Sequence, residues 1–109
     1  MEFKKGTKYA LLSSIDFVSG GIASKQLIKK DTGNVTLFSF DEGEGLSEHT
    51  APFDAFLHVI EGEAEISIAR DNFNLKKDDM IILPANVPHA VFAKKKFKML
   101  LVMIKTDPR

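Results

Sequence analysis

The chain has 109 residues, 44% of them apolar, and 15 Lys and Arg balance 15 Asp and Glu. This length corresponds to one small domain, and the neutral charge argues against nucleic acid or an anionic membrane as a partner. The absence of cysteine excludes disulfides and thiolate metal sites. No apolar run approaches the roughly 20 residues of a membrane helix or suits a signal peptide, so we expect a cytoplasmic location.

Short segments rich in Val, Ile, Phe and Thr recur between turn signals, which is typical of a β-sandwich or β-barrel. We predict a single domain over residues 1–109, with an N-terminal segment over 1–21 and a barrel over about 22–105. The N-terminal segment has one predicted helical turn at residues 14–18. The predicted strands cover residues 22–28, 35–40, 55–60, 63–69, 73–75, 80–83, 89–93 and 97–104, with turns or loops at 31–34, 41–47 and 70–72.

Two strands show how the predicted sheet is covered. In residues 63–69 apolar side chains alternate with Glu and Ser, which indicates a strand buried on one face. Residues 99–104 are apolar without alternation, which indicates a strand covered on both faces. One cover is the barrel interior, and we expect a partner subunit to supply the other, so the sequence predicts a homodimer.

The glycine and histidine spacing matches parts of two motifs. Gly43, His49 and Gly62 fit the pattern G-x5-H-x-H-x3-4-E-x6-G, and Pro84 and His89 fit G-x5-P-x-G-x2-H-x3-N. The chain therefore resembles the cupin superfamily, and in particular small single-domain bacterial cupins of unassigned function. The resemblance implies an all-β fold, a small antiparallel β-barrel or jelly roll, also described as a double-stranded β-helix.

Several motif positions depart from the family pattern. Ala51 stands where the motif has its second histidine, Ala55 where it has glutamate, and Ala93 where it has asparagine. Only His49 and His89 remain of the four metal ligands that the resemblance implies, fewer than the three protein ligands of a usual catalytic site. The resemblance thus implies a degenerate metal site, with no certain cofactor and at most a weakly bound divalent transition metal.

Two further residues are candidate ligands only if the strand is irregular. Asp54 is the candidate third ligand, but its one-residue offset from position 55 points it to the opposite face unless a bulge follows Pro52. His58, three residues beyond position 55, should also face outward.

The alanines predict spare volume at the barrel mouth. We expect a small-molecule pocket there, because an apolar cavity with a few convergent polar groups is the usual form of such a site. The alternative is that its apolar members pack the core, with Met as a gap-filler. The predicted lining consists of His49, Ala51, Phe53, Ala55, Leu57, His89, Val91, Met99 and Met103.

Three functions are compatible with these residues. The first is a small-molecule-binding barrel with a degenerate metal site, favoured by the lost ligands. The second is a metal-dependent enzyme, dioxygenase-like or isomerase-like, that uses His49 and His89. The third is a purely structural dimeric barrel. The sequence assigns no catalytic residue, and one cupin fold hosts many functions.

Overall fold

Nine antiparallel strands make up the fold in a computed structural model that describes residues 2–105. Those residues contain no helix, and so none that is long and apolar enough to cross a membrane. The strands are β1 (Ile22–Lys30), β2 (Gly33–Phe40), β3 (Gly45–His49), β4 (Asp54–Glu61), β5 (Glu63–Ile68), β6 (Asp71–Lys76), β7 (Met80–Leu83), β8 (His89–Ala93) and β9 (Phe97–Ile104).

The strands form two sheets. The five-stranded sheet has the order β1-β2-β9-β4-β7, and the four-stranded sheet has the order β3-β8-β5-β6. Their inner faces pack together, but no hydrogen-bonded ladder joins the sheets within the described part of the chain. The predicted all-β barrel of two antiparallel sheets is confirmed, and it is closed by side-chain packing.

The loop predicted at residues 41–47 is partly wrong, because β3 begins inside it. Gly45, one of the glycines that suggested a loop, pairs with Phe92 of β8. A Cβ at this position would overlap the carbonyl oxygen of Val91. The glycine therefore permits close approach of two strands here, which is the other use of glycine in a sheet.

The helical turn predicted at residues 14–18 does not form. A turn closes earlier, where the Ser14 amide donates to the Leu11 carbonyl, and the chain then continues without helix. The Ser14 carbonyl accepts from Lys25 Nζ at 3.0 Å, and the Asp16 carbonyl accepts from Ser39 Oγ at 2.8 Å. Side chains of the sheet thus hold carbonyl groups that a helix would have used internally.

The turn predicted at residues 70–72 lies one residue earlier. Ala69 and Arg70 have φ values of 48° and 75°, and Ile68 already pairs with Asp71. Two central residues with positive φ are typical of a tight type I′ hairpin, whose twist matches that of the strands. This hairpin fixes the register of β5 and β6.

The main core fills the space between the sheets. The rings of Phe40 and Phe97 stack at 4.6 Å between centroids, and both side chains are fully buried. They are partners in the β2–β9 register, so the stack links two neighbouring strands at the centre of the large sheet. The buried members of this core are Phe40, Ala55, Leu57, Val59, Ala64, Ile66, Leu75, Leu83, Val91, Ala93, Phe97 and Met99.

A smaller cluster covers part of the outer face of the large sheet. Ile15 of the N-terminal segment is 1% exposed and packs with Leu37 and Ile60. Lys98 Nζ donates to the Leu12 carbonyl at 2.7 Å and lies 3.5 Å from Glu61 Oε1. The segment is therefore held on the sheet by apolar packing and by side chains bonded to its backbone.

We expect Gly62→Ala to destabilise the fold strongly. Gly62 has a φ of 87°, and an added Cβ would overlap the Lys96 carbonyl oxygen and lie 2.7 Å from Phe97 Cα. The free energy of unfolding should fall by about 3 kcal/mol, because the alanine strains a left-handed backbone and forces the start of β9 to shift. Urea unfolding measures this free energy.

Gly43→Ala is the matched control, because Gly43 also has a positive φ of 85° but no heavy atom within 4 Å of the added Cβ. Its free energy of unfolding should fall by only about 1–2 kcal/mol, which is the cost of an alanine in the left-handed region. Equal losses in the two variants would contradict the close-approach argument.

Candidate functional site

Two adjacent strands of the smaller sheet bring His49 and His89 together. His49 is the last residue of β3, His89 is the first residue of β8, and the two are partners in the strand register. Paired residues of antiparallel strands project to the same face, which places both rings side by side. The Nε2 atoms lie 3.1 Å apart, and the ring centroids lie 4.3 Å apart.

Backbone carbonyls orient both imidazole rings. His49 Nδ1 lies 2.8 Å from the Ser47 carbonyl oxygen, and His89 Nδ1 lies 3.2 Å from the Val87 carbonyl oxygen. A carbonyl only accepts hydrogen bonds, so each Nδ1 donates to its carbonyl. The two Nε2 atoms face each other at hydrogen-bond distance, so they can share one proton or one electron-poor ligand group.

The environment of the pair is asymmetric. His89 is 6% exposed, whereas His49 is exposed to solvent. Burial lowers the pKa of His89 from its usual 6.5, because a charged ring is poorly solvated there, and the charge of a protonated His49 would lower it further. The Val87 carbonyl acts in the opposite direction but is outweighed by burial. At neutral pH the buried ring is therefore uncharged, and its Nε2 is an electron-pair donor.

The other candidate ligands lie elsewhere. Asp54 Oδ1 accepts a hydrogen bond from the Ala85 amide at 2.8 Å, and its side chain is on the exposed face of β4. His58 Nε2 lies 3.8 Å from Asp78 Oδ1 on that same outer face. Ala55, between them in the alternation, points into the core. Within residues 2–105 no group of three or more His, Cys, Asp or Glu side chains is placed to hold a metal ion.

Most residues of the predicted pocket lie in the packed core. Ala55, Leu57, Val91 and Met99 belong to the buried cluster, and Met103 packs against it. Ala51 and Phe53 are half-buried in the stretch after β3. The role of these residues as a ligand lining stays a prediction.

Three cavities lie on a surface away from the histidine pair. One of about 380 Å³ is bordered by the N-terminal segment and β1, including Phe3, Tyr9 and Leu27. Two others, of about 180 and 340 Å³, border the edge of the large sheet along Lys30 and Ile28. None of these three includes either histidine of the pair.

Sequence reasoning missed the backbone partners of the histidines. The carbonyls of Ser47 and Val87 each lie two residues before the ring that they orient. A backbone carbonyl offers no residue type by which a sequence could reveal it. The one available signal is Pro88, because the residue before a proline, here Val87, favours an extended conformation.

Comparison with known proteins agrees with this architecture. The cupin domain profile matches residues 36–105, a span that includes His49, His89 and seven of the nine strands. The chain belongs to the cupin family. No curated protein matches this cupin.

Solved structures extend the comparison to the whole cupin. A conserved protein of unknown function from Streptococcus pyogenes superposes with a TM-score of 0.92 at 28% identity, over 98% of this chain and 94% of that one. A cupin 2 conserved barrel domain protein from Leptotrichia buccalis is 39% identical, with a TM-score of 0.86, over 89% of this chain and 47% of that one.

A salicylate 1,2-dioxygenase mutant from Pseudoaminobacter salicylatoxidans is a more distant neighbour. Its TM-score is 0.72 at 18% identity, over 80% of this chain and 27% of that one. At this identity the likeness concerns the fold alone.

The histidine pair fits part of a metal site. Two nitrogens 3.1 Å apart can both reach one ion at the usual distance of about 2.1 Å. Their Nδ1 hydrogen bonds to carbonyls are the kind of support that metal-bound histidines receive. In this cupin the pair could hold an ion by two nitrogens, and within residues 2–105 no third His, Cys, Asp or Glu side chain is grouped with them.

We expect the pair to make the fold acid-sensitive below pH 6.5. The pKa of His89 is lower in the folded chain than its ordinary value of 6.5, so the unfolded chain binds more protons as the pH falls through that value. Stability should therefore decrease below about pH 6.5, and His89→Gln should show a weaker decrease between pH 7 and 5. Urea midpoints measured across that range test this.

His58→Gln is the matched control, because it removes an outer-face histidine and leaves His89 buried. It should follow the natural chain. A His89→Gln profile that runs parallel to that of the natural chain would contradict the argument.

Proposed function

We propose that this cupin binds small molecules at the His49–His89 pair, with a degenerate metal site as part of the same function. The supporting observation is the pair of Nε2 atoms, which lie 3.1 Å apart while each Nδ1 donates to a backbone carbonyl. Two imidazole nitrogens at this distance can contact one electron-poor group together. Groups of this kind are a hydroxyl, an ammonium or a divalent transition metal.

The location of the pair supports ligand access. His49 is exposed while His89 is buried at the edge of the core, so a ligand can approach from solvent and meet a dehydrated acceptor. Hydrogen bonds are worth more in such surroundings than in water. The cytoplasmic location predicted from the sequence stays a prediction.

A metal held by this pair should be weak, because each missing ligand removes affinity and geometric definition. When bound, such an ion would act as a Lewis acid toward an oxygen of a ligand. The chain's own contribution is to fix both ring orientations through Ser47 and Val87 and to keep His89 uncharged at neutral pH.

We expect Zn²⁺ titrated into the metal-free protein to bind weakly and only through the pair. His49→Ala and His89→Ala should each weaken binding at least tenfold, because one imidazole is left. His58→Ala should leave binding unchanged, since that ring lies on the outer face beside Asp78. Calorimetry at pH 7.5 measures all four proteins. Undiminished binding in either pair variant would contradict the proposal.

Restoring the family ligands should strengthen the site. Ala51 and Ala55 occupy the positions of the second histidine and the glutamate, so Ala51→His with Ala55→Glu should tighten Zn²⁺ binding at least tenfold. Ala55 is 7% exposed, and a glutamate there could compromise folding. Ala51→His alone, at a half-buried position outside the strands, is therefore measured as well. Unchanged affinity in a folded Ala51→His variant would contradict the motif alignment.

The second candidate function is a metal-dependent enzyme that uses the same two histidines. The preserved pair at 3.1 Å favours it, and the missing third ligand disfavours it. Elemental analysis of the purified protein separates the two functions. A tightly held metal at one per chain would favour the enzyme, whereas substoichiometric metal removed by mild chelation without loss of fold would favour the binding protein.

A further inference from the structure

Residues 3–9 of the N-terminal segment form a closed loop beside β1. The Lys4 amide donates to Tyr9 Oη at 3.0 Å, and the rings of Phe3 and Tyr9 meet edge to face with their centroids 4.8 Å apart. Gly6, in the turn between these contacts, has a φ of 72°, a left-handed conformation that glycine adopts readily. The loop therefore holds an aromatic pair in place through its own contacts.

A β-bulge in β1 supplies the facing apolar surface. Gln26 pairs with Thr36 and Ile28 pairs with Val35, so Leu27 is an extra residue without a partner in β2. Consecutive side chains of a regular strand point to opposite faces, but Leu27 and Ile28 both border the space between β1 and the loop. The bulge thus presents two consecutive apolar side chains to the aromatic pair.

The loop and the bulge border a cavity of about 380 Å³. This volume lies within the range of small-molecule sites, roughly 300–1,000 Å³. At about 30 Å³ per non-hydrogen atom, the volume that a water molecule takes in the liquid, the cavity accommodates a ligand of about a dozen such atoms. Ile28 is 50% exposed and Leu11, which also lines the cavity, is 40% exposed, so an apolar ligand group would remove both from water.

The charged groups around the cavity are mainly basic. Lys4 and Lys5 border it, and none of the described residues that line it is Asp or Glu. An adjoining cavity of about 340 Å³ shares Lys5 with the first and is also bordered by Lys29, Lys30 and Glu2. Because the chain as a whole is neutral, this local excess of positive charge favours an anionic ligand.

Tyr9 adds a hydrogen-bond donor to the basic groups. Its oxygen accepts from the Lys4 amide, and a phenol hydroxyl has one proton of its own to donate. A carboxylate accepts bonds from hydroxyl and ammonium groups, and such charge-assisted bonds are stronger than neutral ones. The Tyr9 side chain can therefore contact an apolar tail with its ring and an anionic head with its hydroxyl.

We propose that this cavity binds an amphipathic carboxylate of about a dozen non-hydrogen atoms. The tail lies between the aromatic pair and the bulge, and the carboxylate lies at Lys4, Lys5 and the Tyr9 hydroxyl. The cavity does not include His49 or His89, so this proposal and the one for the histidine pair stand or fall separately.

The first experiment uses Tyr9 as a reporter, because the chain has one tyrosine and no tryptophan. The probes are 8-bromooctanoate and 8-bromooctan-1-ol, which share a bromoalkyl tail, and bromine quenches tyrosine emission on close contact. At neutral pH and low salt, the carboxylate should reach half-maximal quenching at about one fifth of the alcohol concentration, since two exposed lysines attract only the carboxylate. In about 0.5 M NaCl, which screens exposed charges, this difference should fall below about twofold.

A pair of double variants tests the anionic end of the site. Lys4→Gln with Lys5→Gln should abolish the preference for the carboxylate and leave quenching by the alcohol unchanged. Lys94→Gln with Lys95→Gln is the matched control, because it changes the net charge equally in the exposed turn between β8 and β9, and it should keep the preference.

A second pair of variants tests the apolar end. Ile28→Gln should weaken quenching by both probes about threefold or more, because it removes apolar surface from the tail contact. Ile82→Gln is the matched control at a 58% exposed position of β7, the other edge of the same sheet, and it should have no effect. His49→Ala should also leave quenching unchanged.

Each contrary result overturns the proposal. Equal quenching by the two probes at low salt would show an apolar surface that does not recognise anions, and a lack of saturable quenching would show that no tail reaches Tyr9. A preference that survives in the Lys4 and Lys5 double variant, or disappears in its control, would place the carboxylate elsewhere. Loss of quenching in His49→Ala would assign the ligand to the histidine pair.

Discussion

The alternation of side chains along β9 organises both surfaces of the large sheet. Phe97, Met99 and Leu101 point into the core between the sheets, while Lys98, Leu100 and Val102 point outward. Because β9 is the central strand, pairing with both β2 and β4, its alternation is carried into its neighbours by register. A shift of one residue would turn the Lys98 ammonium into the core and away from the Leu12 carbonyl to which it donates. Because residues 99–104 are apolar without alternation, it is Lys98, and not the apolar pattern, that disfavours such a shift.

The histidine pair likewise depends on strand register, here in the smaller sheet. His49 and His89 meet because β3 and β8 place them opposite each other, and the Ser47 and Val87 carbonyls then decide which nitrogens face inward. The two rings are close enough to contact one ion together. What a metal centre would need in addition is a third ligand beside them, and residues 2–105 place none there.

Sequence reasoning predicted the fold and the position of the pair because both depend on local patterns. Period-two alternation correctly placed His58 and Asp54 outward, and the resemblance to the cupin motifs implied that His49 and His89 lie close together. The tautomers could not be predicted, because they depend on backbone carbonyls. Local patterns also could not predict that the N-terminal segment covers part of β9, because the bond from Lys98 to the Leu12 carbonyl joins residues 86 positions apart.

The way in which the N-terminal segment is held has a consequence for substitutions within it. Lys98, Lys25 and Ser39 all bond to main-chain carbonyls of the segment, which every residue type offers. Side chains contribute through Ile15, which is buried, and through Phe17, whose ring lies 5.0 Å from Lys98 Nζ, whereas the bonds to carbonyls do not depend on residue type. Changes of side chain along the segment should thus leave its path over the sheet in place.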